Sequence, residues 1–431
     1  MSQTQPATTV PGNVRSKIPR RQFAAAAVGN LIEYFDWNAY IFLAIYFSKQ
    51  FFPADATSAT ALIGTFGIMA IGFLVRPLSG LIIGKIADRL GRRFALTLTV
   101  YGMGIGALII AVAPTYAQVG IVAPLILLLA RVIQGACFGG EFGAVSAFAM
   151  EIAPEGRRGF TSGILYSVAC AGQIIVTLLV ALATWVLPVA DMTAWGWRAV
   201  FLIAASLSFA GIWIRRGMKE TADTEAVKQE PTSMFDSIRQ NPKSTIKVIG
   251  LTIGWTAMTY AWGSYMPAYA ATYKGLDAKY GLLSLAIAVT VAGIAAAGIG
   301  SLADRFGRKP LMLTAGIILT VGTIPALSIL NDQAITLFIL QSLAFTVLGL
   351  IAVAVVPAFA ELFPKKFRAS GLGFPYALTV GIIGGTTPLV GTQLAAWNLG
   401  SAFPWYITGL MAISIIFYAT MKETAFKPLP R

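Results

Sequence analysis

The sequence predicts an all-α polytopic membrane protein, with twelve transmembrane helices arranged as two pseudo-symmetric six-helix bundles. Three observations carry that prediction. The 431-residue chain has a mean hydropathy of +0.74, and Asp, Glu, Lys and Arg make up 12% of it, where a soluble domain carries about a quarter. Apolar stretches near the roughly 20 residues that a helix needs to cross the hydrocarbon recur along its whole length. Three charged motifs also occur twice, in the same order, once in each half of the chain.

The spans follow in order as residues 22–48, 59–86, 94–114, 119–150, 159–188, 195–217, 245–272, 279–303, 310–330, 333–361, 369–396 and 402–421. Glycine and proline inside several of them are compatible with membrane helices, where neighbouring helices satisfy the freed backbone groups. The joints are short and polar, which makes successive helices antiparallel neighbours. One connection is long and hydrophilic, residues 218–244, rich in Lys, Glu and Pro. The organisation that follows is an N-terminal tail (1–21), a first six-helix bundle (22–217), an inter-half linker (218–244), a second bundle (245–421) and a C-terminal tail (422–431). Met1–Val14 is polar, without an apolar core or a small-residue cleavage site, so it is not expected to be a signal peptide. Cys137 and Cys170 lie in apolar runs and read as reduced packing residues. The chain has no histidine, which removes His-ligated zinc, a Ser-His-Asp triad and a histidine proton relay together.

Orientation follows from the basic residues. With the N-terminus inside, 26 of the 32 Lys and Arg residues fall on the cytoplasmic side and four (Lys49, Arg198, Lys274 and Lys279) fall outside; Arg76 and Arg131 lie within spans. Such an excess in short loops sets a positive-inside topology, so both tails are expected in the cytoplasm, with the protein in a bacterial inner membrane. The +14 net charge is spread through these loops and does not form a nucleic-acid-binding face.

The repeats are specific. GKIADRLGRR (Gly84–Arg93) returns as GSLADRFGRK (Gly300–Lys309), with Asp88 and Asp304 216 residues apart. EIAPEGRRGFTSG from Glu151 returns as ELFPKKFRASGLG from Glu361 at a shift of 210, and MKET at Met218 returns at Met421 at a shift of 203. Two homologous six-helix halves in parallel are the architecture of secondary transporters. In each charged turn the glycines (Gly84 and Gly91, then Gly307) allow a tight bend and close helix approach. The acid (Asp88, Asp304) can meet a helix N-terminus or an arginine. The bases (Arg89 and Arg92, then Arg305 and Arg308) can bind helix carbonyls and inner-leaflet phosphates. With Glu151, Arg158, Glu361 and Arg368 they read as a cytoplasmic gate that holds that side shut and releases when the halves rock. The plainer reading, that these motifs only anchor the topology, stays open beside it.

The loop Gly84–Arg93, its twin and RVIQGACFGGE (Arg131–Glu141) resemble the signatures of the major facilitator superfamily, and the resemblance runs from Gln22 to Thr424. GNLIEYFDW in span 1, GFLVRPLSG in span 2, EFGAVSAFAMEIAPEGRRG, WGWR (Trp195–Arg198) and IRRGMKET are most similar to its metabolite:proton symporter branch. That branch includes bacterial carriers for citrate, 2-oxoglutarate, shikimate, and proline or betaine. The resemblance implies the major facilitator fold and proton-coupled carriage of a small metabolite. Two departures narrow it. GILYSVACAGQIIVTLL in span 5 lacks the Gly-Pro pair of similar drug antiporters, and MKET follows span 6 where sugar porters show a Pro-Glu-Ser-Pro-Arg phrase.

Charges within a membrane span are expensive and usually functional. Five lie there: Glu33, Asp36, Arg76, Arg131 and Glu141. Arg131, Gln134, Phe138 and Glu141 are spaced i, i+3, i+7, i+10 and so share one helix face, an arc of about 80°. Asn30, Glu33, Trp37 and Tyr40 repeat that spacing in span 1, with Asp36 on the flank. The second half contributes aromatic and hydroxylic faces instead: Trp255, Thr259, Trp262 and Tyr269, then Gln341 and Thr346, then Tyr376 and Thr379. Ion chemistry is therefore expected in the first half and shape recognition in the second, with Tyr34 and Gln173 joining the substrate-binding candidates.

Resemblance to proton-coupled relatives pairs the span-1 acid with the span-4 arginine, here Asp36 with Arg131. Protonating Asp36 would weaken its hold on Arg131, a large switch in low dielectric. Glu33 is the second candidate for the proton site, and Glu141 belongs to the same circuit. Alternatively Arg131 forms a static pair that fixes helix packing. Arg76, beside Pro77, offers a planar fork suited to a carboxylate, or else is the structural partner of Glu33 or Glu141.

The remaining choice is of function class. A polytopic enzyme or receptor would need a catalytic cluster at a membrane face. The chain has no phosphate-cradling Gly-rich loop ending in Lys-Ser/Thr and no metal-spaced acids, so a secondary carrier without cofactor or metal is expected, acting as a monomer among membrane lipids. Three acids against two arginines leave the spans at −1. Protons taken up with an organic anion restore neutrality and ease the crossing of the low-dielectric barrier. The substrate is read as a small organic acid. The rival is a zwitterion such as betaine or proline, whose quaternary or secondary ammonium the Trp and Tyr residues of spans 1 and 7 suit.

Overall fold

The computed structural model describes residues 20–90, 92–138, 141–216 and 238–430, and among them it contains no strand. Gly91 lies outside the described residues, as do most of the predicted linker and N-terminal tail. The side chains of Asn30, Asp88, Arg89, Arg92, Phe138 and Glu141, and the surroundings of Gly84, also lie outside them.

Each predicted span falls on a helix or on a pair of helices. The first half holds α1 (Arg20–Phe47), α2 (Ser58–Leu90), α3 (Arg92–Val112), α4 (Val122–Phe138), α5 (Glu141–Ile152), α6 (Arg158–Val186) and α7 (Trp197–Arg216). In the second half α8 (Pro242–Thr259) passes through a π-helical turn, Tyr260–Tyr265, into α9 (Met266–Lys274). Then come α10 (Ala278–Phe306), α11 (Arg308–Ile329) and α12 (Ala334–Ala360). A second π-helical turn, Val380–Gly384, joins α13 (Arg368–Thr379) to α14 (Gly385–Ala396), and α15 (Ala402–Thr420) follows.

Among the described residues, seven stretches, in α2, α6, α7 with the turn before it, α10, α11, α12 and α15, are long and apolar enough to cross a membrane on their own. The other five predicted spans lie outside this set. Glu33 and Asp36 sit within α1. Among the described residues the apolar parts of α3 and α4 run Thr97–Val112 and Val122–Cys137. The seventh and eleventh spans are each broken by a π turn. Side chains on the outer surface are apolar, Leu182, Val186, Ile294 and Val321 among them, each at least 61% exposed, as a lipid-facing surface requires. Of these seven stretches that of α12 is the most buried, at 78% against 33% for α15.

The halves meet along two seams. On the first, α6 lies against α10 so closely that a Cβ at Gly159, Gly163 or Gly300 would meet the facing backbone. There Ser167 Oγ donates to the Gly293 carbonyl at 2.7 Å. On the second, Phe73 of α2 packs against Gly381 and Gly385 at the other π turn, and Gly384 accommodates the Tyr260 ring. Small residues at both seams let helix backbones approach where bulkier ones would hold them apart.

Candidate functional site

Two charged clusters sit between α1, α2 and α4. In the first, Arg131 Nη1 lies 3.4 Å from Asp36 Oδ2, with the two side chains 0% and 2% exposed. The Arg131 guanidinium also rests on the Tyr40 ring, 3.7 Å from its centroid, and the Tyr40 hydroxyl donates to the Thr65 carbonyl at 3.0 Å. Gln134, one turn along α4 from Arg131, is fully buried beside this pair. One Asp36 oxygen carries the ion pair and the other, Oδ1, is buried without a hydrogen-bond partner. Such a carboxylate has acceptor capacity for a proton at the free oxygen.

The second cluster is centred on Arg76. Its guanidinium carbon lies 3.5 Å from the centroid of Phe73, one helical turn earlier in α2, and 4.0 Å from that of Trp37. Glu33 from α1 and Tyr260 from the second half both act on its charge, as does Tyr376. Tyr376 is stacked on Phe142 of α5 at 3.8 Å and 17°, and tilted against Trp255 at 6.1 Å. The two acids of α1 thus serve different arginines, Asp36 at Arg131 and Glu33 at Arg76.

The substrate-lining candidates divide accordingly. Tyr34, Trp37 and Tyr376 gather about Arg76, with Trp255 behind Tyr376, whereas Tyr40 and Gln134 sit with Arg131. Gln173 is half-buried on α6 with its amide towards Gly263 of the first π turn, and Thr259 ends α8 just before that turn. Trp262 is 2% exposed, packed within the second half, where its carbonyl accepts from Gln341 at 2.6 Å. Phe73, Phe142 and Tyr260 are absent from the sequence-based reading. Phe73 was within reach of it, because it precedes Arg76 by three positions on one helix face. Tyr260 was not, because a π turn changes the register that a 3.6-residue period assumes.

A third cluster closes one end of the molecule. Asp304, near the end of α10, accepts the backbone N–H groups of Gly159 and Phe160 at 2.7 and 2.8 Å. These belong to the first turn of α6, in the other half, where N–H groups lack helical partners and the dipole favours an anion. Arg308 pairs with Asp304 at 3.0 Å and with Glu361 at 3.5 Å. The Glu151 and Glu361 repeats then exchange partners across the seam: Arg158 pairs with Glu361 at 3.0 Å and Arg368 with Glu151 at 2.5 Å. Arg305 is exposed, near the Phe306 ring.

Gly307 adopts φ +100°, and a Cβ there would run into the Glu423 carboxylate. Glu423 caps α11 by accepting from the N–H groups of Arg308 and Lys309, each at 3.0 Å. Burial alone would raise its carboxyl, but backbone N–H bonds from Ala425, Arg308, Lys309 and Thr424 outweigh burial and hold it below the ordinary carboxylate range. The segment after α15 crosses the same cluster. Arg158 donates to the Lys427 carbonyl at 3.0 Å and Arg368 to that of Pro430 at 2.7 Å. Beneath it lies a cavity of about 560 Å³ lined by Glu151, Glu155, Arg158, Asp304 and Arg308.

The chain matches the Major Facilitator Superfamily over residues 26–301, and the family described as Sugar (and other) transporter over residues 217–430. It is 33% identical over 426 residues to the alpha-ketoglutarate permease of Escherichia coli K12, covering 96% of each chain. It is 32% identical over 434 residues to the proline/betaine transporter of Salmonella typhimurium LT2, covering 95% of this chain and 85% of that one. The shikimate transporter of E. coli K12 is 29% identical over 424 residues, 96% of this chain and 95% of that one. Among solved structures, the D-xylose-proton symporter superposes with a TM-score of 0.72 at 18% identity, over 96% of this chain and 100% of that one, a likeness of fold. Identity above 30% over nearly the full length of these relatives, with a family match over more than half of the chain, shows that the chain belongs to the major facilitator superfamily, as a multi-pass membrane transporter rather than an enzyme.

Proposed function

We propose that the protein is a secondary active transporter of the bacterial inner membrane that takes up a small organic acid, such as a di- or tricarboxylate, together with protons. The latch end faces the cytoplasm with both tails. Alternating access comes from rocking of the two halves, residues 22–217 and 245–421, about the seams. The observation that carries this reading is Arg76, a buried guanidinium facing residues of both halves. Its planar fork suits a carboxylate, and its neighbours supply ring faces rather than competing anions, apart from Glu33. Asp36 is the proton site and Arg131 its partner, with Glu33 and Glu141 completing the circuit. Asn30, Tyr34, Trp37, Gln173, Trp255, Thr259 and Tyr376 bound the substrate, with Tyr40, Gln134 and Trp262 behind them. Asp88, with Gly84, Arg89, Gly91 and Arg92, forms the first-half latch by its repeat relation to Asp304. The protein acts as a monomer.

A zwitterionic compatible solute is the second reading, favoured by the Trp255–Tyr376 pair, whose ring faces suit an ammonium group. Uptake into proteoliposomes under an imposed pH gradient, over a panel of α-ketoglutarate, shikimate, proline and betaine, decides between them. Accumulation of carboxylates alone is expected, abolished by a protonophore. Uptake that survives the protonophore and requires sodium would refute proton coupling.

A further inference from the structure

We propose that Trp37 is the positioning residue that couples the Asp36–Arg131 pair to the Arg76 site. Its ring centroid lies 4.0 Å from the Arg76 guanidinium carbon and 4.9 Å from that of Arg131. The indole is 4% exposed and is held edge-on by Phe73 at 4.3 Å, so it cannot leave either cation without disturbing the other. Trp37 follows Asp36 directly in α1, and a shift that lengthens the Asp36–Arg131 contact carries the ring with it. This inference rests on the symport reading above and goes beyond it by assigning the coupling to one side chain.

The sign of the coupling follows from the charges. Two guanidinium groups share one aromatic ring and repel each other, and each has an acid beside it. When Asp36 takes up a proton, Arg131 loses its counter-ion and leans more on the rings of Trp37 and Tyr40. A ring polarised towards Arg131 holds Arg76 less firmly, and Arg76 becomes freer to engage a substrate carboxylate. Conversely, a carboxylate at Arg76 neutralises its charge, relieves the repulsion on Arg131 and makes Arg131 less dependent on an ionised Asp36. Proton and substrate therefore favour each other's binding, as symport requires, and linkage makes the effect reciprocal.

The charged and titratable groups around Asp36 are Arg131 from α4, Arg76 from α2, and Glu33, Tyr34 and Tyr40 from α1. Further out, α6 brings Tyr166 and Cys170, and the second half brings Tyr260 and Tyr376. Neither arginine changes charge in the working range, so Asp36 and Glu33 are the groups whose protonation the coupling transmits.

The test is calorimetric titration of the full chain in nanodiscs with α-ketoglutarate, and in parallel with glycine betaine, at about pH 4.5, close to the usual carboxylate range, and at about pH 8, well above it. The unmutated protein is expected to bind about tenfold more tightly at the lower pH, within the usual span of allosteric coupling. Trp37→Leu should still bind but bring that ratio close to one, and Trp37→Phe, which retains a ring face, should preserve most of it. Trp37→Met, a second ring-less variant that fills the space differently, takes the place of the leucine variant if that one does not fold. Weaker binding by the same factor at both pH values, with the ratio intact, is what a purely structural tryptophan gives, and it would overturn the proposal. A ratio near one in the unmutated protein would fail the symport reading itself, and the coupling role with it.

Discussion

Asp304→Asn tests the latch most directly. The carboxylate receives two N–H bonds from the first turn of α6, at 2.7 and 2.8 Å, and pairs with Arg308 at 3.0 Å. A hydrogen bond to a charged group contributes about 1.5–3 kcal/mol. Asparagine keeps one acceptor oxygen, but it turns an NH₂ donor towards an N–H or a guanidinium and loses the favourable interaction with the helix N-terminus. Arg308 is not stranded, because it keeps the Ala303 carbonyl at 2.6 Å and Glu361 at 3.5 Å. The full penalty for an unpaired buried charge therefore does not apply, and a net loss of about 2–4 kcal/mol across the seam is reasonable. Each 1.4 kcal/mol is tenfold, so the latched-to-unlatched ratio should fall by about 30- to 700-fold. Nitroxides at the exposed positions of E155C and K365C, on a background lacking Cys137 and Cys170, report the separation of the halves at this end by pulsed electron resonance. The expected result is a population at longer distance, slower uptake, and unchanged expression and membrane insertion. Unaltered distances, together with full uptake rates in both Asp304→Asn and Asp88→Asn, would leave these motifs as topology anchors only.

Four further outcomes are expected. Asp36→Asn mimics the protonated acid at constant size, and should abolish concentrative uptake while substrate exchange across proteoliposomes continues. Arg76→Ala should weaken binding by about 2–5 kcal/mol in calorimetry, with poor rescue by Arg76→Lys because a point charge lacks the fork; normal binding with lost pH dependence would move Arg76 to the proton circuit. Glu423→Gln should lower the thermal midpoint near neutrality. Because the folded-state pKa of Glu423 is depressed, its contribution is complete above the ordinary carboxylate value of about 4.3 and disappears as pH falls through the lowered one, so the two melting curves should converge in acid. Truncation after Ala425 removes the Lys427 and Pro430 carbonyls from Arg158 and Arg368, and should shift the same spin-label distances towards separation; identical distance distributions would show that the segment only rests on the latch.

How far the sequence reached differs between the fold and the site. The two charged turns and the Glu-x₆-Arg repeats were legible because they are local and recur, and the spans were legible because lipid demands long apolar helices. Which partner each charge takes was not legible. Periodicity placed Glu33, Trp37 and Tyr40 on one face of α1, yet Tyr40 lies under Arg131 while Glu33 faces Arg76. Several helices surround α1 at once, and the facing residues are set by their packing.

The sequence by itself determined a membrane-spanning all-helical chain, its duplicated halves and the list of charges that must be buried, since each follows from composition or from spacing along the chain. Only the tertiary structure decided that Arg158 and Arg368 exchange carboxylates across the seam, that Asp304 caps a helix belonging to the other half, and that one indole touches both arginines. Those contacts join residues up to 217 positions apart. They depend on how closely glycine-lined helices approach and on two π turns that shift the register, and neither quantity is written in the spacing of any single segment.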